Sequence, residues 1–429
     1  MQDIKDIQNF KDQEVNLAGW VANFRSSGKI AFLELRDGTG YIQAIISKNE
    51  VSEDVFKKLE TLTIESSVKL KGIISEHPKQ PGIFELQVSD LEVINISEEY
   101  PIGKKEHGPD FLLDNRHLWL RSKKQVAILK VRNTIINATY NFFEDRNFTK
   151  IDSPILTPNA CEGTTTLFEV PYFDLGSAYL SQTGQLYLEA AIAAHRKVFD
   201  FGPVFRAEKS KTRRHLTEFW IMDAEMAFVD HEENMKFQEE LVCYIIKTVL
   251  EKNKEELKIL ERDVGLLEKI KAPFTRMTHA EAVTTLQKLG SNINPGDDLG
   301  AEDETMLTKD SDLPIFVEKW PKEIKAFYMK RDPKNSDLVL GSDLIATEGF
   351  GELIGGSQRE DDHDILLERI KKEKLPLDDF QWYLDLRKYG SVPHSGFGYG
   401  LERVTAWITG TKHVRETIPF PRMITRLKP

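Results

Sequence analysis

Phe205-Arg206-Ala207-Glu208, running on to His215 and Phe219, and Gly396-Phe397-Gly398-Tyr399-Gly400-Leu401-Glu402-Arg403 are the two stretches whose joint reading decides the fold. The first reads as a strand, a basic loop from Lys209 to His215 and a returning strand. Such a hairpin could clamp phosphate charge while Phe219 lies under a base. The second is a strand with glycine at alternate positions that leads into a helix, and glycine there lets a ligand approach the backbone closely. Leu401, Val404 and Ile408 supply the inward stripe of that helix and leave Arg403 near its first turn, where anions are favoured. The glycine spacing is not the dinucleotide fingerprint, because Leu401 stands where G-x-G-x-x-G needs its third glycine. A basic loop alone is an ordinary solvated turn. The two segments together, each with an arginine beside a group that can hold a nucleotide, read as one nucleotide site.

In this order the segments resemble motifs 2 and 3 of the class II aminoacyl-tRNA synthetases. Motif 1 of that class, a long helix leading to a strand with one proline, resembles the helix expected from about Lys124 to Asp145 and the following Phe148-Thr149-Lys150-Ile151-Asp152-Ser153-Pro154-Ile155-Leu156. Ile128, Val131, Ile135, Ala138 and Phe142 recur at three- and four-residue steps, with Leu129, Ile136 and Phe143 widening a stripe that needs covering. The resemblance implies a homodimer with Pro154 close to the two-fold axis. It also implies an α+β catalytic domain over 122–429, an antiparallel sheet flanked by helices. Residues 251–322, with acidic turns such as Asn294-Pro295-Gly296-Asp297-Asp298, resemble the variable insertion between motifs 2 and 3 and show no chemistry of their own.

The chain has 429 residues, enough for two or three domains. Its formal charge of -11 argues against indiscriminate nucleic-acid binding, so any RNA contact is expected on local basic surfaces. Cys161 and Cys243 are the two cysteines, which excludes a Cys-rich metal site and gives no disulfide framework. The start lacks the apolar core of a signal peptide and no apolar run is long enough to cross a bilayer, so a soluble cytoplasmic protein is expected.

From Val15 to about Ile96 short β-rich runs alternate with turn signals, including Asp37-Gly38-Thr39-Gly40. Alternation turns Ala31, Leu33, Leu35, Ile42, Ala44 and Ile46 inward, and Phe32, Glu34, Arg36 and Gln43 outward. An outward aromatic beside amide and guanidinium groups can stack on and hydrogen-bond an unpaired base. Gly19-Trp20-Val21, Arg25, Gly28, Phe32, Arg36-Asp37 and Gln43 resemble the five-stranded OB-fold anticodon-binding barrel of class IIb, expected over 1–97. The resemblance implies that Phe32, Gln43 and Arg25 read a middle anticodon uridine, shared by aspartate and asparagine tRNAs. Residues 98–121 read as a hinge, its second half resembling the segment that introduces the class IIb catalytic domain.

Leu180-Ser181-Gln182-Thr183-Gly184-Gln185-Leu186-Tyr187-Leu188-Glu189 carries the specificity argument. Aspartate enzymes of the family place a lysine where Leu188 stands. Without that cation an aspartate side chain would be buried under-compensated, at a cost of several kcal/mol. Asparagine needs no counter-ion, and Glu189 is expected to supply an acceptor for its amide. The Gly184-Gln185-Leu186-x-x-Glu189 pattern and Phe219-Trp220 are similar to asparaginyl-tRNA synthetases. Glu352-Leu353-Ile354-Gly355-Gly356-Ser357-Gln358-Arg359 resembles the family segment whose glutamate holds Mg²⁺ on ATP and whose arginine reaches the substrate side-chain oxygen. Some relatives carry serine where Gly355 stands, and many asparagine enzymes carry glutamate where Asp223 stands. Cys161-Glu162-Gly163-Thr164-Thr165-Thr166-Leu167-Phe168 resembles a loop that closes over the amino acid, with Glu162 on its ammonium group.

The resemblance therefore implies asparagine, ATP and tRNA(Asn) as substrates and Mg²⁺ as the metal. Arg206, Glu352 and Arg403 would carry the chemistry. Glu208, Arg214, His215, Phe219 and Gly400 would complete the ATP site, and Glu162, Gln185, Leu188, Glu189, Asp223 and Arg359 the amino-acid site. Three alternatives stay open at this point: an aspartyl-tRNA synthetase, either strict or also charging asparagine tRNA, a non-catalytic RNA-binding paralogue, and an asparagine synthetase on the same core.

Overall fold

Alternation of apolar and polar positions closes the N-terminal strands on themselves. In the computed structural model, which describes residues 1–103, 105–159, 161 and 167–429, the strands Glu14–Ser27, Ile30–Arg36, Tyr41–Ser47, Ser67–Glu76 and Phe84–Asn95 form a closed barrel with the last two exchanged in order. Ala31, Leu33, Leu35, Ile42, Ala44 and Ile46 all lie in its core, as the period of two requires. Asp37 makes the expected turn: its Oδ1 accepts from the Thr39 and Gly40 N–H groups at 2.7 and 2.9 Å. Phe32 is half-buried on the outer face with the Arg25 guanidinium 4.7 Å from its ring centroid. Gln43 donates its amide to Glu85 at 2.7 Å. Arg36 departs from the expected outward position. It is buried and paired with both oxygens of Glu65 at 2.9 and 2.8 Å, since the chain following the third strand brings a carboxylate over it.

The chain divides into two compact units, Met1–Gly108 and Pro109–Pro429. Within 98–121, read above as a hinge, the part from Pro109 onward is instead built into the second unit. Arg116 is fully buried there, donating to the carbonyls of Pro419 and Ile418, both at 2.8 Å, and to Gln125 at 2.7 Å.

Among the described residues of the second unit, nine strands share one sheet. Its order runs Thr275–Thr278, Ile315–Pro321, Asn335–Ala346, Gly351–Gln358, His394–Gly400, Glu218–Ala227, Lys197–Phe205 and Thr149–Lys150, with Arg331–Asp332 beside the third of these. The pairing is antiparallel except at the two ends of this order, where the outermost strands run parallel to their neighbours. The helix Lys123–Glu144 starts at Ser122, whose hydroxyl caps the Gln125 N–H, and buries the stripe Ile128, Val131, Ile135, Ala138 and Phe142. Phe143 stacks on Phe199 of the sheet with centroids 4.8 Å apart. The helix His231–Lys252, begun by an Asp230–Glu233 capping box, lies beside it.

Residues 251–322, expected as an elaboration without chemistry, supply two strands of the main sheet as well as the helix Ala301–Leu307. No helix among the described residues is long and apolar enough to cross a membrane. Phe143→Ala removes a ring with no exposure from the helix–sheet contact. It is expected to cost about 4 kcal/mol of stability, read as a lower denaturant midpoint with an unchanged slope.

Candidate active site

Each arm of the site is placed by a register. The strands Lys197–Phe205 and Glu218–Ala227 form the expected hairpin, closing at the Phe205–Glu218 pair with the basic loop between them. The second of these lies antiparallel to His394–Gly400, setting Glu225 opposite Gly396, Asp223 opposite Gly398 and Ile221 opposite Gly400. A Cβ at position 396 would stand 2.1 Å from Glu225 Oε1, and one at 398 would stand 2.3 Å from Asp223 Oδ1. The first two alternating glycines therefore admit the protein's own carboxylates, whereas the reading above reserved the space for ligand. At Gly400 a Cβ would meet the Phe219 ring at 3.9 Å.

A cleft of about 760 Å³ opens over these strands. Arg206, Glu208, Arg214, His215, Phe219, Glu352, Gly400 and Arg403 line it together, as do Gln185, Asp223 and Arg359. Arg403 donates to the Glu352 carbonyl. Arg214 is held by Glu304 at 2.6 Å, by the Thr305 hydroxyl at 2.8 Å and by the Gly349 carbonyl at 2.5 Å. Burial and the neighbouring Arg403 push the His215 pKa down. Burial and the neighbouring Glu352 push the Glu304 carboxyl up to about 7. Asp343 is likewise pushed up to about 7, because burial and Glu352 outweigh the Lys325 ammonium 2.6 Å away. A Cβ on Gly355 would lie 2.8 Å from Glu352 Oε1 and 3.9 Å from Asp343 Oδ1, so the two carboxylates flank this glycine.

At the other end of the cleft Asp223 accepts from the Thr183 hydroxyl at 2.5 Å and the Gly184 N–H at 2.9 Å. Arg359 is clamped on Glu225, its Nε lying 2.9 Å from Oε1, while its Nη1 donates to Ser357 at 2.6 Å. Glu225 is wholly buried and its Oε2 has no hydrogen-bond partner among the described residues. Burial, offset in part by Arg359, raises its carboxyl to about 7.

Two expected contacts are corrected. Leu188 does not line the cleft; it packs without exposure against Ile192, Val198 and Ala227, because Gln185 is the residue that the helix Gln185–His195 turns to the cleft. Glu189 is also absent from the lining, its carboxylate being consumed by Arg387, Tyr383, His394 and Gln185. Glu162 lies outside the described residues.

Residues 108–424 match the family model for class II tRNA synthetases (D, K and N), and residues 15–94 match that for the OB-fold nucleic acid binding domain. The asparagine–tRNA ligase of Pelotomaculum thermopropionicum is 54% identical over 426 residues, covering 99% of each chain. The chain belongs to the asparagine–tRNA ligases of class II. The asparaginyl-tRNA synthetase of Pyrococcus horikoshii, solved in complex with asparaginyl-adenylate, is similar with a TM-score of 0.95 and 48% identity, over 98% of this chain and 97% of that one. The aspartyl-tRNA synthetase of Entamoeba histolytica has the same architecture at a TM-score of 0.84, with 26% identity over 100% of this chain and 92% of its own.

Within this ligase, sequence reasoning missed Glu225, Glu304, Asp343 and Lys325. Glu225 carried a signal, since it stands two residues after Asp223 on one strand and must share its face. Glu304 carried none, being joined to Arg214 only by the fold. Glu304→Ala frees the Arg214 guanidinium from its main charged partner. The KM for ATP is expected to rise about tenfold, the loss of one charge-assisted bond, while the KM for asparagine stays unchanged in pyrophosphate exchange.

Proposed function

We propose that this ATP-using asparagine–tRNA ligase selects its amino acid through the Arg359–Glu225 pair, the observation that carries the reading. The guanidinium donates to the side-chain carbonyl of asparagine, and the unpartnered Glu225 oxygen accepts from its NH₂. A site that matches both groups rejects an analogue lacking one by roughly 10⁴-fold. Aspartate would set a second carboxylate against Glu225. Gln185 and Asp223 hold the α-ammonium group, joined by Glu162 as the family resemblance implies.

ATP lies with adenine on Phe219. Arg206 bridges the α-phosphate and the asparagine carboxylate, Arg403 meets the γ-phosphate, and Glu208, Arg214 and His215 complete the contacts. A carboxylate oxygen of asparagine attacks the α-phosphorus, the bond to the bridging oxygen breaks, and pyrophosphate leaves. Arginines fixed before the reaction stabilise the added charge without reorganising. The 3′-hydroxyl of the terminal adenosine of tRNA(Asn) then attacks the acyl carbon, AMP departs, and asparaginyl-tRNA remains.

The donor set fits Mg²⁺: Glu352 and Asp343 offer carboxylate oxygens on either side of Gly355, and burial with the neighbouring Glu352 pushes the Asp343 carboxyl up to about 7. When bound, the metal would neutralise phosphate charge as pyrophosphate departs. Glu352 would hold it, with Asp343 alongside.

The barrel presents Phe32 for stacking on the middle anticodon uridine, with Arg25 and Gln43 beside it. Pro154, Ile155 and Leu156 are exposed in the segment that follows the long helix in sequence, which supports assembly as a homodimer through motif 1. A cytoplasmic site of action fits the family.

ATP–pyrophosphate exchange with asparagine and aspartate offered separately tests the selection. Asparagine is expected to support exchange, and exchange with aspartate alone would overturn the reading. Glu225→Gln, which replaces the acceptor with an amide of the same shape, is expected to lower kcat/KM for asparagine about 100-fold. Sedimentation is expected to give twice the mass of one chain.

A further inference from the structure

Glu189 has a completely buried side chain and is fully engaged. Its Oε2 accepts from Arg387 at 2.7 Å, from the Tyr383 hydroxyl at 2.7 Å and from His394 Nε2 at 3.0 Å. Its Oε1 accepts from the Gln185 amide at 3.1 Å. Burial by itself would drive this carboxyl to its neutral form, but Arg387 and His394 outweigh it and hold the group well below the usual carboxylate range. Glu189 is therefore a permanent buried charge with no route to the substrate.

It is nevertheless one residue away from the substrate on two sides. Gln185 lines the cleft, and the Arg359 N–H donates to the carbonyl of His394 at 2.9 Å. Its field reaches the selecting pair: with burial opposing, Glu225 and then Glu189 raise the Arg359 pKa, and on the Glu225 carboxyl Glu189 acts with burial and against Arg359. The buried charges form two layers, the cleft-lining Arg359 with Glu225 and, behind them, Arg387 with Glu189. Each layer sets one guanidinium against one carboxyl group. A neutral amide preserves that balance, whereas an aspartate carboxylate adds a negative charge that neither layer compensates.

We propose that Glu189 is a positioning residue that sets the charge of the amino-acid subsite from behind, cancelling Arg387 so that the pocket presents no spare cation to aspartate. The inference rests on the reading of the Arg359–Glu225 pair given above. A glutamine at 189 could still accept from Tyr383 and Arg387 through its carbonyl oxygen, so hydrogen bonding alone does not require the acid. The charge does. An uncompensated cation at this depth acts over several ångströms, because screening by water is weak there.

The test is pyrophosphate exchange with each amino acid for the unmodified enzyme and for E189Q, R387Q and the double variant, with thermal melts of all four. E189Q leaves Arg387 uncancelled, and the ratio of kcat/KM for asparagine over aspartate is expected to fall about tenfold or more. R387Q leaves Glu189 uncancelled and is expected to raise the same ratio. The double variant, neutral again behind the pocket, is expected to return to within about threefold of the unmodified ratio. The KM for ATP should not move. Opposite signs for the two single variants are something a purely structural role would not produce. Parallel losses with both amino acids, equal signs in the two variants, or failure of all three to fold would overturn the inference and leave the Arg359–Glu225 reading standing. An unmodified enzyme that activates aspartate and ignores asparagine would overturn that reading, and this one with it.

Discussion

Two carboxylates on one strand, pressed against a neighbouring strand that has no side chains there, are the constraint from which the rest of the site follows. Asp223 and Glu225 project from the same face, and the Cβ positions of Gly398 and Gly396 fall within 2.3 and 2.1 Å of their oxygens. Any side chain at either position would push the two strands apart or expel a carboxylate. With the glycines in place Glu225 is wholly buried beside the cleft, paired with the guanidinium of Arg359. A buried charge must be paired, and breaking one partner away leaves the other stranded at a cost of about 3–5 kcal/mol. Arg359 is thus held in one orientation before any substrate arrives.

Opposite ends of the cleft solve different electrostatic problems. The amino-acid end pairs Arg359 with Glu225 and Arg387 with Glu189, which suits a neutral amide side chain. The nucleotide end gathers Arg206, Arg214 and Arg403 among the carboxylates of Glu352, Asp343 and Glu304. Burial and the neighbouring Glu352 push the carboxyls of Glu304 and Asp343 up to about 7. Keeping the two regimes apart lets one cavity bind a polyanion and a zwitterion without either collapsing onto the other's partners.

Three segments were read one way in the sequence and stand another way in the fold. Residues 251–322 carry no motif, yet they extend the sheet and deliver Glu304 to Arg214, a pairing between residues 90 positions apart. Leu188 and Glu189 were placed at the substrate by their motif. The helix Gln185–His195 turns Gln185 to the cleft, and the next turn goes to the core and to a buried ion cluster. Arg36 was assigned outward by strand alternation, which is blind to a carboxylate supplied by a connecting loop.

The sequence by itself determined what depends on periodicity and on local chemistry. The barrel strands, the apolar stripe of the helix Lys123–Glu144, the hairpin bearing Arg206 and the glycine strand leading to Arg403 are all local patterns in which each residue constrains its near neighbours. Family membership is legible for the same reason, since motif residues are read in order. Tertiary structure alone decided which carboxylate meets which arginine. Glu225 with Arg359, Glu189 with Arg387 and Glu304 with Arg214 are each joined across a long stretch of chain. Coulomb attraction acts through space and leaves no period in the sequence, and whether a charge is buried or solvated is known only when the surrounding chain has closed over it.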